Sequence, residues 1–268
     1  MTDMTASAPA PAQVGALLRD WRRRRRLSQL DLSLEAAIST RHLSFVETGR
    51  SRPSREMVIH LAERLEVPLR DRNRLLLAAG YAPVYGERAL DAPEMTPVRE
   101  TLDLVLRGHE PHPAAAIDRG WNLVAANRGI ALLTAGVAPE LLAPPANVLR
   151  VSLHPDGLAP RIANLGQWRA HLLERLGRQV ALTADAELAE LEAELRGYPA
   201  PDHRHDAGGP EIAVPLRLRT EHGELAFLST VTTFGTAVDI TVAELAIESF
   251  FPADAATAAA LSHLMVDM

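Results

Sequence analysis

The stretch SQLDLSLEAAISTRHLSFVETGRSRP, residues 28–53, decides how the chain is read. It spells two short helices joined by a tight turn. Ser28 is placed to cap the first, because its hydroxyl can accept from a free amide of the opening turn. Leu32, Ser33 and Ala36 then share one face at helical spacing. Ala37 and Ile38 make the turn, and Ser39 caps the second helix. There Leu43 and Val46 point inward, at i and i+3, and leave Thr40, Arg41, His42 and Ser44 outside. A short helix whose exposed N-terminal half carries hydrogen-bonding side chains is what reading the DNA major groove requires. A helical bundle with a merely solvated polar face would share the periodicity but leave the clustered arginines without a role.

Two runs carry a family likeness. LSQ, followed by SxxxLSxVExGRxxPS, resembles the helix-turn-helix of the xenobiotic-response-element (Cro/cI-like) repressors over roughly residues 13–80. The longer run TRHLSFVETGRSRPSREM, with LLLAAGYAPVY after it, is similar to the MmyB-like regulators in particular. The resemblance implies roles residue by residue. Gln29 contacts a phosphate or a base edge. Thr40, Arg41 and Ser44 face bases, with His42 beside them, and Arg50 and Arg52 meet phosphate. The chemistry agrees, since an arginine bridging guanine O6 and N7 discriminates bases by about 1–3 kcal/mol. Ala37 stands where the wider family usually has the turn glycine, and a left-handed alanine costs on the order of 1 kcal/mol.

At 268 residues and 47% hydrophobic content the chain suffices for one or two domains with ordinary cores. It has no cysteine, so disulfides and thiolate metal sites are excluded, which fits a cytoplasmic protein. No uninterrupted apolar run approaches the roughly 18 residues of a membrane span. Residues 1–12 lack the basic start and apolar run of a secretory signal and read as a disordered tail. All 28 basic residues are arginine, and the net charge of −6 is unevenly spread. Residues 1–80 hold 14 Arg against 9 acids, a net +5; residues 81–268 hold 14 against 25, a net −11. A basic module joined to an acidic one is the footprint of a DNA-binding domain attached to one that avoids DNA.

A first helix is expected over 13–26, with Val14, Leu17, Leu18 and Trp21 inward and the run Arg22 to Arg26 at its end, attracting phosphate. Ser54 starts another helix, with Met57, Val58, Leu61, Ala62 and Leu65 inward. Pro68 starts a fifth, stopped by Gly80. This makes a five-helix domain over 13–81. Residues 82–96, rich in Pro and Glu, read as a linker, and a helix follows over about 97–107.

The remainder, 97–268, reads as an α+β domain with an antiparallel sheet. Residues 114–127 spell strand, turn, strand, and Asn127 is placed to cap a helix over 128–134. Residues 162–179 form an amphipathic helix through Leu165, Trp168, Leu172, Leu173 and Leu176, and 185–196 a second, acidic one. A polar loop over 199–210 precedes three strand-like runs, 211–220, 224–234 and 236–242, turning at His222-Gly223 and Gly235. The tail carries Phe250-Phe251-Pro252 and an Ala-rich helix. The opening hairpin resembles a PAS-type sensor fold. The block NVLRVSLHPDGLAPRIANLGQWRAHLLERL resembles the ligand-binding domain of the MmyB-like regulators, which extends the likeness over most of the chain.

Catalytic and metal chemistry finds little support. His109-x-x-His112 and His203-x-His205 lack a third ligand nearby. Ser152, His154 and Asp156 lie close in sequence, which is no evidence for a triad, and a turn held by Asp accounts for them. No Walker loop or HExxH occurs, and no cofactor is expected. The resemblance implies a small apolar ligand such as a fatty acid. Trp121, Leu123, Asn127, Trp168 and Leu172 are the candidates to line its site, with Arg161 for an acid headgroup. These residues also fit an ordinary core. The expectation is therefore a ligand-responsive, non-enzymatic transcription regulator. It binds double-stranded DNA as a homodimer on a near-palindromic operator, with recognition helices about 34 Å apart, and needs no membrane. The alternatives are a DNA-tethered enzyme, which lacks a recognisable nucleophile, and an antitoxin-like partner-binding protein without a small-molecule ligand.

Overall fold

The computed structural model describes residues 10–199, 213–221 and 223–264. Contacts divide it into two units. The first takes in the chain through Arg88 together with Ala237–Ile240, and the second Ala89–Thr236 and the chain from Thr241 onward. No helix among the described residues is long and apolar enough to cross a membrane.

The first unit has five helices: α1 (Ala10–Arg24), α2 (Gln29–Glu35), α3 (Thr40–Glu47), α4 (Arg55–Arg64) and α5 (Leu69–Ala78). Local chemistry sets most of their ends. Ser28 Oγ accepts from the Asp31 amide at 3.1 Å while the Asp31 carboxylate accepts from the Ser28 amide at 2.8 Å, a reciprocal cap. Ser39 and Ser54 cap α3 and α4 through one bond each, accepting from the His42 and Met57 amides. Each helix then stops on a left-handed residue: Arg26, Ala37, Gly49, Glu66 and Gly80 have φ between 48° and 83°. Behind Ala37 the Ile38 amide reaches the Ser33 carbonyl at 3.0 Å, so carbonyls freed at the end of α2 keep partners. Val14, Leu18, Trp21, Leu32, Leu43, Val46, Leu61 and Leu75 fill the core. At Gly15 a Cβ would lie 2.3 Å from the Val46 carbonyl oxygen, so α1 meets α3 at a point where no side chain fits.

One expectation needs correction here. α1 opens at Ala10, so residues 10–12, read as part of a tail, are helical, while 1–9 lie outside the described residues. Within the arginine run, Arg22 and Arg25 are engaged by the fold. Arg22 is buried, and Arg25 donates to the Leu65 and Glu66 carbonyls at 2.8 and 2.7 Å, closing the end of α4. The start of the presumed linker is docked on α5. Asn73 Oδ1 accepts from the Val84 and Tyr85 amides at 3.0 and 3.2 Å, and its Nδ2 donates to the Tyr85 carbonyl at 2.8 Å. Arg88 pairs with Asp239 at 2.9 Å, and the Ile240 amide donates to the Gly86 carbonyl at 2.8 Å.

The second unit begins with a 3-10 turn and α6 (Thr96–Gly108), then β1 (Ala114–Ile117), β2 (Leu123–Ala126), α7 (Ile130–Thr134), α8 (Pro139–Leu142), α9 (Val148–Leu153), α10 (Leu165–Thr183), α11 (Ala186–Arg196), β3 (Leu216–Thr220), β4 (Gly223–Thr233), α12 (Ile240–Ala243), β5 (Ala246–Pro252) and α13 (Ala255–Leu264). The five strands form one antiparallel sheet in the order β2-β1-β5-β4-β3. Strand alternation sorts its two faces. Ala114, Ala116 and Ile247 pack on Leu102 and Leu106 of α6. Ile117, Leu216, Phe227 and Phe250 face Trp168, Leu172 and Leu176 of α10 in a larger core.

The third strand of the expected meander is misplaced. Residues 236–242 are β-branched but form a loop and the start of α12; the strand is Ala246–Pro252, assigned by sequence to the tail. β5 lies between β1 and β4 and is buried on both faces, so it shows no alternation to betray it. α8 and α9 were not expected. α10 starts at Leu165 and runs to Thr183, so Ile162, Ala163 and Asn164 precede it. β3 begins only at Leu216; Glu211, Ile212, His222 and residues 200–210 lie outside the described residues.

Candidate DNA-reading face and ligand cavity

On the outer side of α3, Arg41 and Arg50 are exposed, and their guanidinium carbons sit 5.3 and 5.9 Å from the centre of the Phe45 ring. The ring therefore gathers two cations on the outer side of the element. His42 and Ser44 are half-buried beside them. Thr40 turns its hydroxyl to that of Ser33 on α2 at 2.9 Å, which joins the two helices of the motif.

Beneath this face lies a buried ion pair. Arg22 Nε and Nη2 donate to the two oxygens of Glu47 at 2.6 and 2.8 Å, and Gln29 Nε2 donates to the second oxygen at 2.8 Å. The side chains are 9% and 1% exposed. Arg22 Nη1 also donates to the Leu27 carbonyl at 2.8 Å. The Glu47 hydrogen bond holds the Arg22 guanidinium above its usual pKa against the opposing effect of burial. α1, the start of α2 and the end of α3 are thus fastened at one point.

In the second unit a cavity of about 90 Å³ opens between the sheet and the helices. Its walls are mostly apolar: Ala115 and Ile117 of β1, Leu133 of α7, Leu149 of α9, Trp168 and Leu172 of α10, and Phe250 of β5. Small residues leave the space, since Ala115 and Ala146 stand where larger side chains would fill it. Three polar side chains reach it: Thr134, Ser152 and Glu248. Thr134 donates to the Ile130 carbonyl at 3.2 Å, and Ser152 Oγ accepts from the Trp168 indole at 3.0 Å. Glu248 pairs with Arg175 of α10 at 3.0 Å, and the Arg175 guanidinium carbon sits 4.5 Å from the Trp121 ring centre.

A family model described as the MmyB-like transcription regulator ligand binding domain matches residues 98–264. The chain belongs to the MmyB-like transcription regulators. A second model, described as a helix-turn-helix domain, matches residues 13–75. The first is, by its description, part of a transcription regulator. A search of curated proteins gives no match. Among solved structures, the clp gene regulator ClgR from C. glutamicum is 24% identical over 28% of this chain and 92% of its own, with a TM-score of 0.25.

In this MmyB-like regulator the expected DNA set is only partly brought together. Arg41, His42, Ser44 and Arg50 share α3 and its end. Gln29 is tied to Glu47, and Arg52 donates to the Ala79 carbonyl at 3.0 Å and lies over Tyr81, at the end of α5. Of the expected cavity set, Leu123, Trp168 and Leu172 line the space, while Trp121, Asn127 and Arg161 do not. Trp121 is buried, with its indole donating to Gln179 at 2.8 Å. Asn127 does not cap a helix with its side chain. Its Oδ1 accepts from the Ala114 amide at 3.0 Å, and its Nδ2 donates to the Leu106 and His112 carbonyls at 3.1 and 2.8 Å. Arg161 donates to the Ala135 carbonyl at 2.5 Å, to the Leu133 and Arg219 carbonyls at 3.3 Å and to the Leu132 carbonyl at 3.4 Å; burial lowers its pKa. It clamps backbone rather than facing the cavity.

Ser152, His154 and Asp156 form no triad: His154 Nδ1 accepts from the Asp156 amide at 3.1 Å, while Ser152 serves Trp168. His109 and His112 lie with ring centres 5.5 Å apart, and among the described residues no three His, Cys, Asp or Glu side chains could hold a metal ion. His203 and His205 lie outside the described residues. Sequence reasoning missed Phe45, Glu47 and Glu248. A lone acid inside the apolar run Ala246–Pro252 was the available signal for the last.

Proposed function

We propose that this regulator reads the major groove of a near-palindromic operator with α3 and that occupancy of the cavity changes its affinity for DNA. The carrying observation is the capped α3 with Arg41 and Arg50 gathered on Phe45 at its exposed side. Arg41 then reads a base edge, with Thr40, His42 and Ser44 beside it, while Gln29 meets a phosphate or a base edge and Arg50 and Arg52 meet phosphate. The basic charge of residues 1–80 supports that assignment. Two copies act as a homodimer in the cytoplasm, their recognition helices about 34 Å apart.

The apolar cavity supports sensing of a small apolar molecule, of which a short fatty acid is one member. The antiparallel order β2-β1-β5-β4-β3, with helices on its faces, supports a PAS-like sensor. The ligand shifts DNA affinity only through unequal binding to the two conformations of the protein. A DNA-selection assay run with and without cell lipid extract tests the whole reading. Within it, Arg41→Ala loses about 1–3 kcal/mol of discrimination at one operator position. Arg24→Ala weakens binding to all sequences about equally and flattens the salt dependence. Gel shifts unchanged by both substitutions overturn the assignment.

A further inference from the structure

The cavity carries more information than its size. Its 90 Å³ holds about six to nine water-sized groups at ~10–15 Å³ each, which fits a chain of medium length. Its lining is apolar except for two hydroxyls and one carboxylate. Among the described residues no arginine or histidine lines it, and Arg161 is committed to backbone carbonyls.

The carboxylate decides the chemistry of the ligand's polar end. Glu248 is 7% exposed, and one of its oxygens accepts from Arg175 Nη1 at 3.0 Å. An ionised carboxylate offers about four acceptor positions and no donor. The remaining positions look for a donor, and in an apolar cavity an unmet acceptor is costly. Ser152 complements this. Its oxygen takes the Trp168 indole proton, which leaves its own hydroxyl proton to give. A fatty acid anion brings a second carboxylate beside Glu248, whose partner Arg175 is already engaged, and no proton to share. An alcohol or a primary amide supplies the donor and can also accept.

We infer that the cavity binds an uncharged, medium-chain molecule ending in a hydrogen-bond donor, a primary alcohol or amide, and discriminates against the matching carboxylate through Glu248. The inference rests on the cavity being the sensing site. Calorimetric titration of the full chain with 1-octanol and with octanoate tests it. Octanol binds about tenfold or more tightly than octanoate in the wild type, because like charges across an interface are strongly disfavoured. The alcohol is also intrinsically the more apolar probe, so the preference must depend on Glu248. In Glu248→Gln, which keeps an oxygen for Arg175 and adds an amide donor, the ratio of the two dissociation constants falls by about tenfold or more. A wild type that binds octanoate as tightly as octanol overturns the inference even if the variant fails to fold, and so does an unchanged ratio in a folded variant. The control is Ala115→Leu, which adds bulk beside Glu248, its cross-strand neighbour. Loss of both ligands in that variant keeps the site. Binding like the wild type, or no binding of either probe to the wild type, fails the sensing reading itself and the inference with it.

Discussion

Each unit of the molecule holds a buried carboxylate against an arginine of a helix, Glu47 in the first and Glu248 in the second, and these two pairs are built for different ends. Glu47 is 1% exposed and both its oxygens are occupied, by two Arg22 nitrogens and by Gln29. Glu248 is 9% exposed at the side chain, meets Arg175 through one oxygen, and lines a cavity. The first has three of its about four acceptor positions filled and no open space beside it, so it is architecture. The second has capacity left over, beside a space that a molecule can enter. How fully a buried charge is satisfied separates a fastening from a receptor better than burial alone.

Removing each carboxylate sharpens the contrast. Glu47→Ala strands a buried guanidinium and costs about 3–5 kcal/mol, read as a drop in the urea midpoint of the full chain. A loss under about 1 kcal/mol would place the pair with surface ion pairs and remove the distinction. Glu248→Ala costs less, about 1–2 kcal/mol, because Arg175 keeps 22% exposure and the Trp121 ring as a neighbour. Equal losses at the two sites would break the comparison. The smallest change concerns the turn of the motif. Ala37 has φ 51°. Ala37→Gly relieves left-handed strain of about 1–2 kcal/mol and returns part of it as unfolded-chain entropy, so stability rises by no more than about 1 kcal/mol. Thermal unfolding at matched concentration measures it, and a destabilised variant shows that the alanine side chain contributes packing.

The same contrast explains what could be read from sequence. The first unit was legible because its signals are local: Ser28, Ser39 and Ser54 precede their helices by one residue, and Leu32, Leu43 and Val46 repeat at helical spacing. The partner in the Arg22–Glu47 pair was not: helical spacing from Val14 and Leu18 turns Arg22 inward, but Glu47 lies 25 residues away and no local signal joins the two. In the second unit the α6, α10 and α11 periodicities were plain, whereas β5 was hidden. A strand buried on both faces has no period of two, and its Glu248-Ser249 pair looks unlike a core strand, while the Thr and Val of 236–242 look like one. The cavity had no motif to find. It exists because Ala115 and Ala146 are small where the surrounding elements converge, and that convergence is a property of the fold.

Trp168 has a practical consequence. Of the three indoles in the chain it alone lines the cavity, with its ring nitrogen fixed on Ser152. Trp21 lies in the core of the helical unit and Trp121 is buried outside the cavity. The protein therefore carries its own optical gauge of filling. A guest that displaces water from around Trp168 alters the emission of that ring, against two others that serve as an internal standard, with no dye attached.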